Sequence, residues 1–228
     1  MSPSPKCVIK NFSKKFDKIL HKNIVTVIIK NERQIKFLQR GNREKMGDIN
    51  VFTGPMKCGK SHVILQEAKR QMIAGKTIQI FKPGIDTRYS KDYVQDRNGN
   101  KLKAVNIDSI DELKDYDADV YIIDEFQFLN GDVKVIEDLA EEGKKFFIAG
   151  LNLTAEKKPF GKMGDLLCVS DHVTTMTSIC DICKRDNAIF SFYKGDTKSG
   201  DIEIGDSDYI PVCRECYNEM VKKYKENK

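Results

Sequence analysis

The chain has 228 residues, 40% hydrophobic content and a formal net charge of +5 from 39 basic and 34 acidic side chains. That length suits one ordinary domain with a smaller appendage, and that apolar fraction is enough for a packed core, which excludes disorder throughout. The charge excess is too mild to argue for a nucleic-acid partner, and the apolar run at residues 24–29 is far shorter than the roughly 20 residues of a membrane-spanning helix.

Residues 1–48 read as a basic N-terminal extension, because twelve Lys/Arg face three Asp/Glu within residues 1–45. An amphipathic helix is expected at residues 12–21 and a strand at 24–29. Basic residues flank the strand and no small-residue cleavage site follows, which argues against a secretory leader.

Residues 49–175 read as a nucleotide-binding domain. A short strand at 49–53 runs into Gly54-Pro55-Met56-Lys57-Cys58-Gly59-Lys60-Ser61, which satisfies G-x-x-x-x-G-K-[ST] at every fixed position. The glycines let successive backbone N–H groups converge on a phosphate, Lys60 adds a point charge, and Ser61 offers a hydroxyl to Mg²⁺. A helical rhythm follows over 61–74 (Ile64, Leu65, Ala68, Met72), and Gly75 stops it. The helix N-terminus adds its positive dipole end to the same anion site.

Further buried strands are expected at 77–81, 104–107, 120–124 and 146–151. Ser109 and Glu112 have capping-box spacing, and residues 132–142 carry Val133, Ile136, Leu139 and Ala140 at helical intervals. Strand and helix alternate, so the fold class is α/β: a P-loop NTPase-like, largely parallel sheet with helices on both faces and a ligand crevice at the carboxyl ends of the strands.

Two loops at those ends carry chemistry. Asp86 could hold Mg²⁺ and Arg88 could fork phosphate oxygens. The strand at 120–124 ends in Asp124 and Glu125, and alternation is expected to send one carboxylate toward the nucleotide and the other toward an acceptor hydroxyl.

Residues 176–220 read as a small metal-binding unit, and 221–228 as a charged tail. Cys180-x-x-Cys183 and Cys213-x-x-Cys216 have the spacing of a closed, structural Zn²⁺ site, which would pin both ends of the polar segment 184–212. A redox C-x-x-C pair would leave the other pair unexplained. Of the remaining cysteines, Cys7 has no ligand spacing, Cys58 rides in the phosphate loop, and Cys168 is expected in the core. Cysteines in metal spacing, without a secretory signal, favour a reducing cytosol.

As an ordered set, the motifs resemble the zinc-containing cytosolic (type II) thymidine kinase family. They are Gly-Pro-Met-x-x-Gly-Lys-Ser at 54–61, Asp-Thr-Arg-Tyr-Ser at 86–90, Ile-Asp-Glu-Phe-Gln-Phe at 123–128, Gly-Leu at 150–151 with Pro-Phe-Gly at 159–161, and the two cysteine pairs. The resemblance implies ATP-dependent phosphorylation of the thymidine 5′-hydroxyl, a homotetramer, and a zinc-anchored lasso loop that grips the nucleoside. It implies Glu125 as general base, Lys60 and Arg88 on phosphates, Ser61 and Asp86 on Mg²⁺, and Asp124 and Gln127 in support. Met56, Phe128, Leu151 and Phe160 would wall the base, with Tyr209 nearby.

The chain departs from the family pattern at Lys57, Cys58, His62, Asn152 and Ala155, and its lasso (204–209) is one residue short. Ala155 stands where an aromatic is expected, and Phe190 or Phe192 is a candidate to supply the missing ring. The departures keep open a kinase of the same build with shifted acceptor preference. A zinc-ribbon ATPase binding nucleic acid through the basic arm, and a non-catalytic nucleotide binder, are the other readings.

Overall fold

Five apolar runs and one exposed segment assemble into a parallel sheet: β1 (Ile49–Thr53), β2 (Ile78–Pro83), β5 (Val105–Ile107), β6 (Val120–Ile123), β7 (Lys145–Gly150) and the exposed β8 (His172–Thr175), in the order β5-β2-β6-β7-β1-β8. The structure, a computed structural model, describes residues 46–86, 92–195 and 208–226. The helix expected at 12–21, the strand at 24–29, Cys7, Arg88 and lasso residues 196–207 lie outside them.

Strand alternation divides the core between the two faces. Val51, Tyr121, Ile123, Phe146 and Ile148 turn to one face, where they meet the 3₁₀ segment Ile110–Asp115 and helices α2 (Lys134–Glu141) and α3 (Met163–Val169). Val120, Ile122, Phe147 and Ala149 turn to the other, where Ile64, Leu65 and Ala68 of α1 (Lys60–Ile73) cover them. Ser109 and Glu112 do form a reciprocal capping box, but it opens a 3₁₀ segment and not an α-helix.

Several elements went unanticipated, α3 among them. An antiparallel hairpin, β3 (Tyr93–Gln95) and β4 (Lys101–Lys103), packs Val94 and Leu102 against the α1 face. Its signal was the Asn98-Gly99 dipeptide between the two runs. The edge strand β8 is exposed at all four residues, so no apolar run announces it. Cys168, expected in the core, is exposed on α3: Met163 and Leu166 occupy the buried face of that helix, and Cys168 falls off it.

Beyond β8 the chain forms the pairs β9 (Ser178–Ile179) with β10 (Asp186–Ala188) and β11 (Phe190–Tyr193) with β12 (Tyr209–Val212), followed by α4 (Arg214–Glu226). The small core of these elements contains Phe190, Phe192, Val212 and Tyr217. Both phenylalanines are thus buried against Tyr217, with ring centroids 5.3 and 5.5 Å away, and neither replaces the ring missing at Ala155. Instead the Ala155 carbonyl accepts from the Tyr217 hydroxyl at 2.6 Å. The Lys157 ammonium lies 3.7 Å from the centre of the same ring, a cation–π contact that fastens the loop after β7 to these elements.

Candidate active site

Parallel strands present their carboxyl ends to the same side, so the segments after β1, β2, β6 and β7 converge there. They enclose a cavity of about 290 Å³. Met56, Lys57, Gly59, Lys60 and Ser61 line it from the phosphate loop. Lys82 and Asp86 line it from the end of β2, Asp124 and Glu125 from the end of β6, and Leu151 from the end of β7.

The loop's conformation explains its glycines. At Gly54, with φ 150°, a Cβ would fall 2.3 Å from the Met176 carbonyl oxygen, so no larger residue fits. Gly59 takes the left-handed conformation immediately before α1. Lys57 also has a positive φ, 65°, in a non-glycine residue. The Lys60 ammonium is buried and donates to the carbonyls of Pro55 (2.8 Å) and Gly54 (3.2 Å). Pro55 and Cys58 complete the loop, with the Cys58 sulfur 3.6 Å from the Lys60 ammonium.

Asp124 and Glu125 do not diverge as strand alternation had suggested. The strand stops at Ile123, and Glu125 adopts the left-handed conformation (φ 52°). This turns the chain so that both carboxylates reach one cavity. Gln127 binds the second carboxylate: its Nε2 donates to Glu125 Oε2 at 2.5 Å, while its Oε1 accepts from the Leu151 amide at 2.9 Å. The side chains after β6 and the loop after β7 are therefore set against each other.

Lys82 was not singled out in the sequence. Its side chain is only 2% exposed and pairs with Asp86 at 3.4 Å. A buried ammonium beside the carboxylate that was expected at the metal is a charge the site must balance. Also lining the cavity, and not expected to, are His62, the β3 strand (Tyr93–Gln95) and the hairpin turn with Asp96, Arg97 and Asn98. His62 Nδ1 meets Asp96 Oδ2 at 2.7 Å. Burial opposes ionisation of Asp96, but hydrogen bonds from His62, Asn100 and Asn98 outweigh it and hold the carboxyl below its ordinary value.

Of the residues expected around the base, Met56 and Leu151 line this cavity, and Phe128, Phe160 and Tyr209 do not. Phe128 and Phe160 form an edge-to-face pair 5.4 Å apart, and Tyr209 pairs with Tyr193 across the β11–β12 ribbon at 5.0 Å.

The four thiols of Cys180, Cys183, Cys213 and Cys216 gather with all sulfurs within 4.8 Å of one another. Cys183 and Cys213 are 3.8 Å apart, the edge length of a tetrahedron whose centre lies about 2.3 Å from each sulfur. Donors suited to thiolates surround them: the Cys213 amide to Cys180, the Cys216 amide to Cys213, and Arg185 Nε to Cys183. The Arg185 guanidinium draws the Cys183 thiol down to about 6. The donor set is compatible with zinc and closed to a further ligand.

A phosphate loop between a strand and a helix, facing paired carboxylates at the end of a parallel strand, defines a P-loop phosphotransferase. The thymidine kinase family profile matches residues 47–217. Thymidine kinases of two Porphyromonas gingivalis strains are each 36% identical over 179 residues, covering 76% of this chain and 86% of theirs. The chain belongs to the thymidine kinase family. Among solved structures, the genome packaging NTPase B204 from Sulfolobus turreted icosahedral virus 2 superposes with a TM-score of 0.39 at 18% identity, covering 61% of this chain and 78% of that one. That score is too low to inform the fold.

Proposed function

We propose that Glu125 is the general base of the family's reaction, transfer of the ATP γ-phosphate to the 5′-hydroxyl of thymidine. The observation that carries this reading is the placement of Glu125: buried, turned by its left-handed backbone into the cavity that holds Lys60 and Ser61, and oriented by Gln127. Its carboxylate accepts the proton as the hydroxyl oxygen attacks the γ-phosphorus and ADP departs.

Lys60 and Arg88 serve the phosphates, with the remaining loop residues supplying backbone donors. Ser61 and Asp86 would hold Mg²⁺, with Asp124 alongside; when bound, the ion neutralises phosphate charge. Met56 and Leu151 form the apolar wall for the base; the family resemblance would add Phe128, Phe160 and Tyr209. The four cysteines would hold one structural Zn²⁺, whose role is to fasten β9–β12. Among the described residues no helix is long and apolar enough to cross a membrane. A cytosolic homotetramer, with residues 1–48 as an added basic arm, completes the reading.

The test is single-turnover transfer of labelled γ-phosphate from Mg-ATP to thymidine, comparing wild type with Glu125→Gln. Transfer in the wild type that drops by orders of magnitude in the variant supports the assignment; equal rates would remove Glu125 from the chemistry. The burial of Phe190 and Phe192 in the core around Tyr217 favours a second reading, a relaxed acceptor preference. Competition with deoxyuridine and deoxycytidine decides it, and strict thymidine preference would end it.

A further inference from the structure

We propose that His62 is a positioning residue for the phosphate end of the nucleotide, acting through Asp96 and Arg97; this rests on the kinase reading above. His62 stands on the first turn of α1, next to Ser61. The Asp96 side chain, 2% exposed, opens the turn that joins β3 to β4. Within that turn its Oδ1 accepts from the amides of Asn98 (2.9 Å) and Asn100 (2.8 Å), and its Oδ2 accepts from Asn100 Nδ2 (2.9 Å). These bonds give the turn its shape but do not say where it lies. The bond from His62 ties it to the phosphate-loop helix.

The ring suits this task in its neutral form. With the proton on Nδ1 it donates to Asp96, and its Nε2, 2.8 Å from Gln66 Nε2, accepts from that amide. Both ring nitrogens are then satisfied and the ring plane is fixed.

The strands of the hairpin are held independently, by Val94 and Leu102 in the core over α1, and an exposed bond from Lys69 Nζ to Asn100 Oδ1 at 3.1 Å holds the far end of the turn. Loss of the imidazole therefore loosens the Asp96–Arg97 end of the turn and leaves the hairpin attached. What the turn carries is Arg97, exposed and lining the cavity beside Lys60 and Ser61. A guanidinium held there adds a charge-assisted phosphate donor, and one allowed to wander does not.

Kinetics and direct binding on the full chain test the idea. His62→Ala should raise KM for ATP about tenfold, the scale of one hydrogen bond to a charged group, with kcat and KM for thymidine within about twofold of wild type. His62→Asn, which keeps a donor near the Nδ1 position, should recover most of the loss. In an Arg97→Ala background, His62→Ala should add nothing, because its effect passes through Arg97. Calorimetry should show weakened ATP binding and unchanged adenosine binding. Additive losses in the double variant, or an equal rise in both KM values, would overturn the proposal. If the wild type failed to phosphorylate any nucleoside, the kinase reading would fall, yet the ATP-against-adenosine comparison would still decide whether His62 fixes a phosphate-binding turn.

Discussion

The Met56 amide donates to the Ser191 hydroxyl at 2.9 Å, and both groups are buried. This bond joins the phosphate loop to strand β11 of the cysteine-bearing unit. Two more contacts run alongside it: Ser178 Oγ donates to the Lys57 carbonyl at 3.3 Å, and Met176 presses against Gly54. The loop that faces the nucleotide is thus braced from the unit whose strands the four cysteines gather.

That brace predicts a nucleotide defect from a lesion outside the phosphate loop. Ser191→Ala leaves a buried N–H unpaired, at roughly 1–3 kcal/mol, and should lower the melting temperature and weaken ATP binding in calorimetry. Metal removal by a strong chelator should act in the same direction and more severely, because the whole unit loosens. Unchanged ATP affinity after verified metal loss would show that the loop holds its shape unaided.

Glu125→Gln should reduce kcat by about 10²–10⁴-fold, the range of a lost general base, with ATP binding retained. Gln127→Ala should lower kcat less, by about tenfold, since it removes the donor that orients Glu125 and also leaves the Leu151 amide without its acceptor. Pre-steady-state rates of phosphoryl transfer separate these effects from product release.

Gly161 has φ 51°, and a Cβ there would fall 2.2 Å from the Gln127 carbonyl oxygen. Gly161→Ala therefore combines an unfavourable backbone with a collision against unyielding main chain. It should cost about 2 kcal/mol or more in chemical denaturation and reduce kcat by displacing Gln127. A variant as stable and active as wild type would show that the turn relaxes.

Asp96 supplies a pH prediction. Its folded carboxyl lies below the ordinary value of about 3.9, despite burial, because of the hydrogen bonds from His62, Asn100 and Asn98. A depressed carboxyl contributes stability that is present above the unfolded value and lost as pH falls through the folded one. The stability gap between wild type and Asp96→Asn should be full above about pH 5, narrow as pH falls through the ordinary carboxyl value of about 3.9, and close only below the lower, folded value. Denaturation curves across that range measure it, and a gap independent of pH would refute the assignment.

Much of the site was legible locally. The phosphate loop, Asp124, Glu125 and the four cysteines stood out because their chemistry is encoded in fixed spacings of a few residues, and the five strands expected of the sheet, four interior and the edge strand β5, showed as apolar runs. Lys82 gave no such signal, since a lysine closing a strand reads as solvated until its burial beside Asp86 is seen. Asp96 and Arg97 read as an ordinary polar turn, and the link to His62 spans 34 positions.

The sequence by itself determined the reaction class, the strand-and-helix alternation and the metal-type cysteine set, because each rests on short-range pattern. Tertiary structure alone decided that Asp124 and Glu125 share one cavity, through a left-handed residue that alternation does not foresee. It also decided that Phe190 and Phe192 belong to the second core and that Ser191 braces Met56. Those outcomes depend on which surfaces exclude water together, and that is settled only when segments distant in the chain pack against each other.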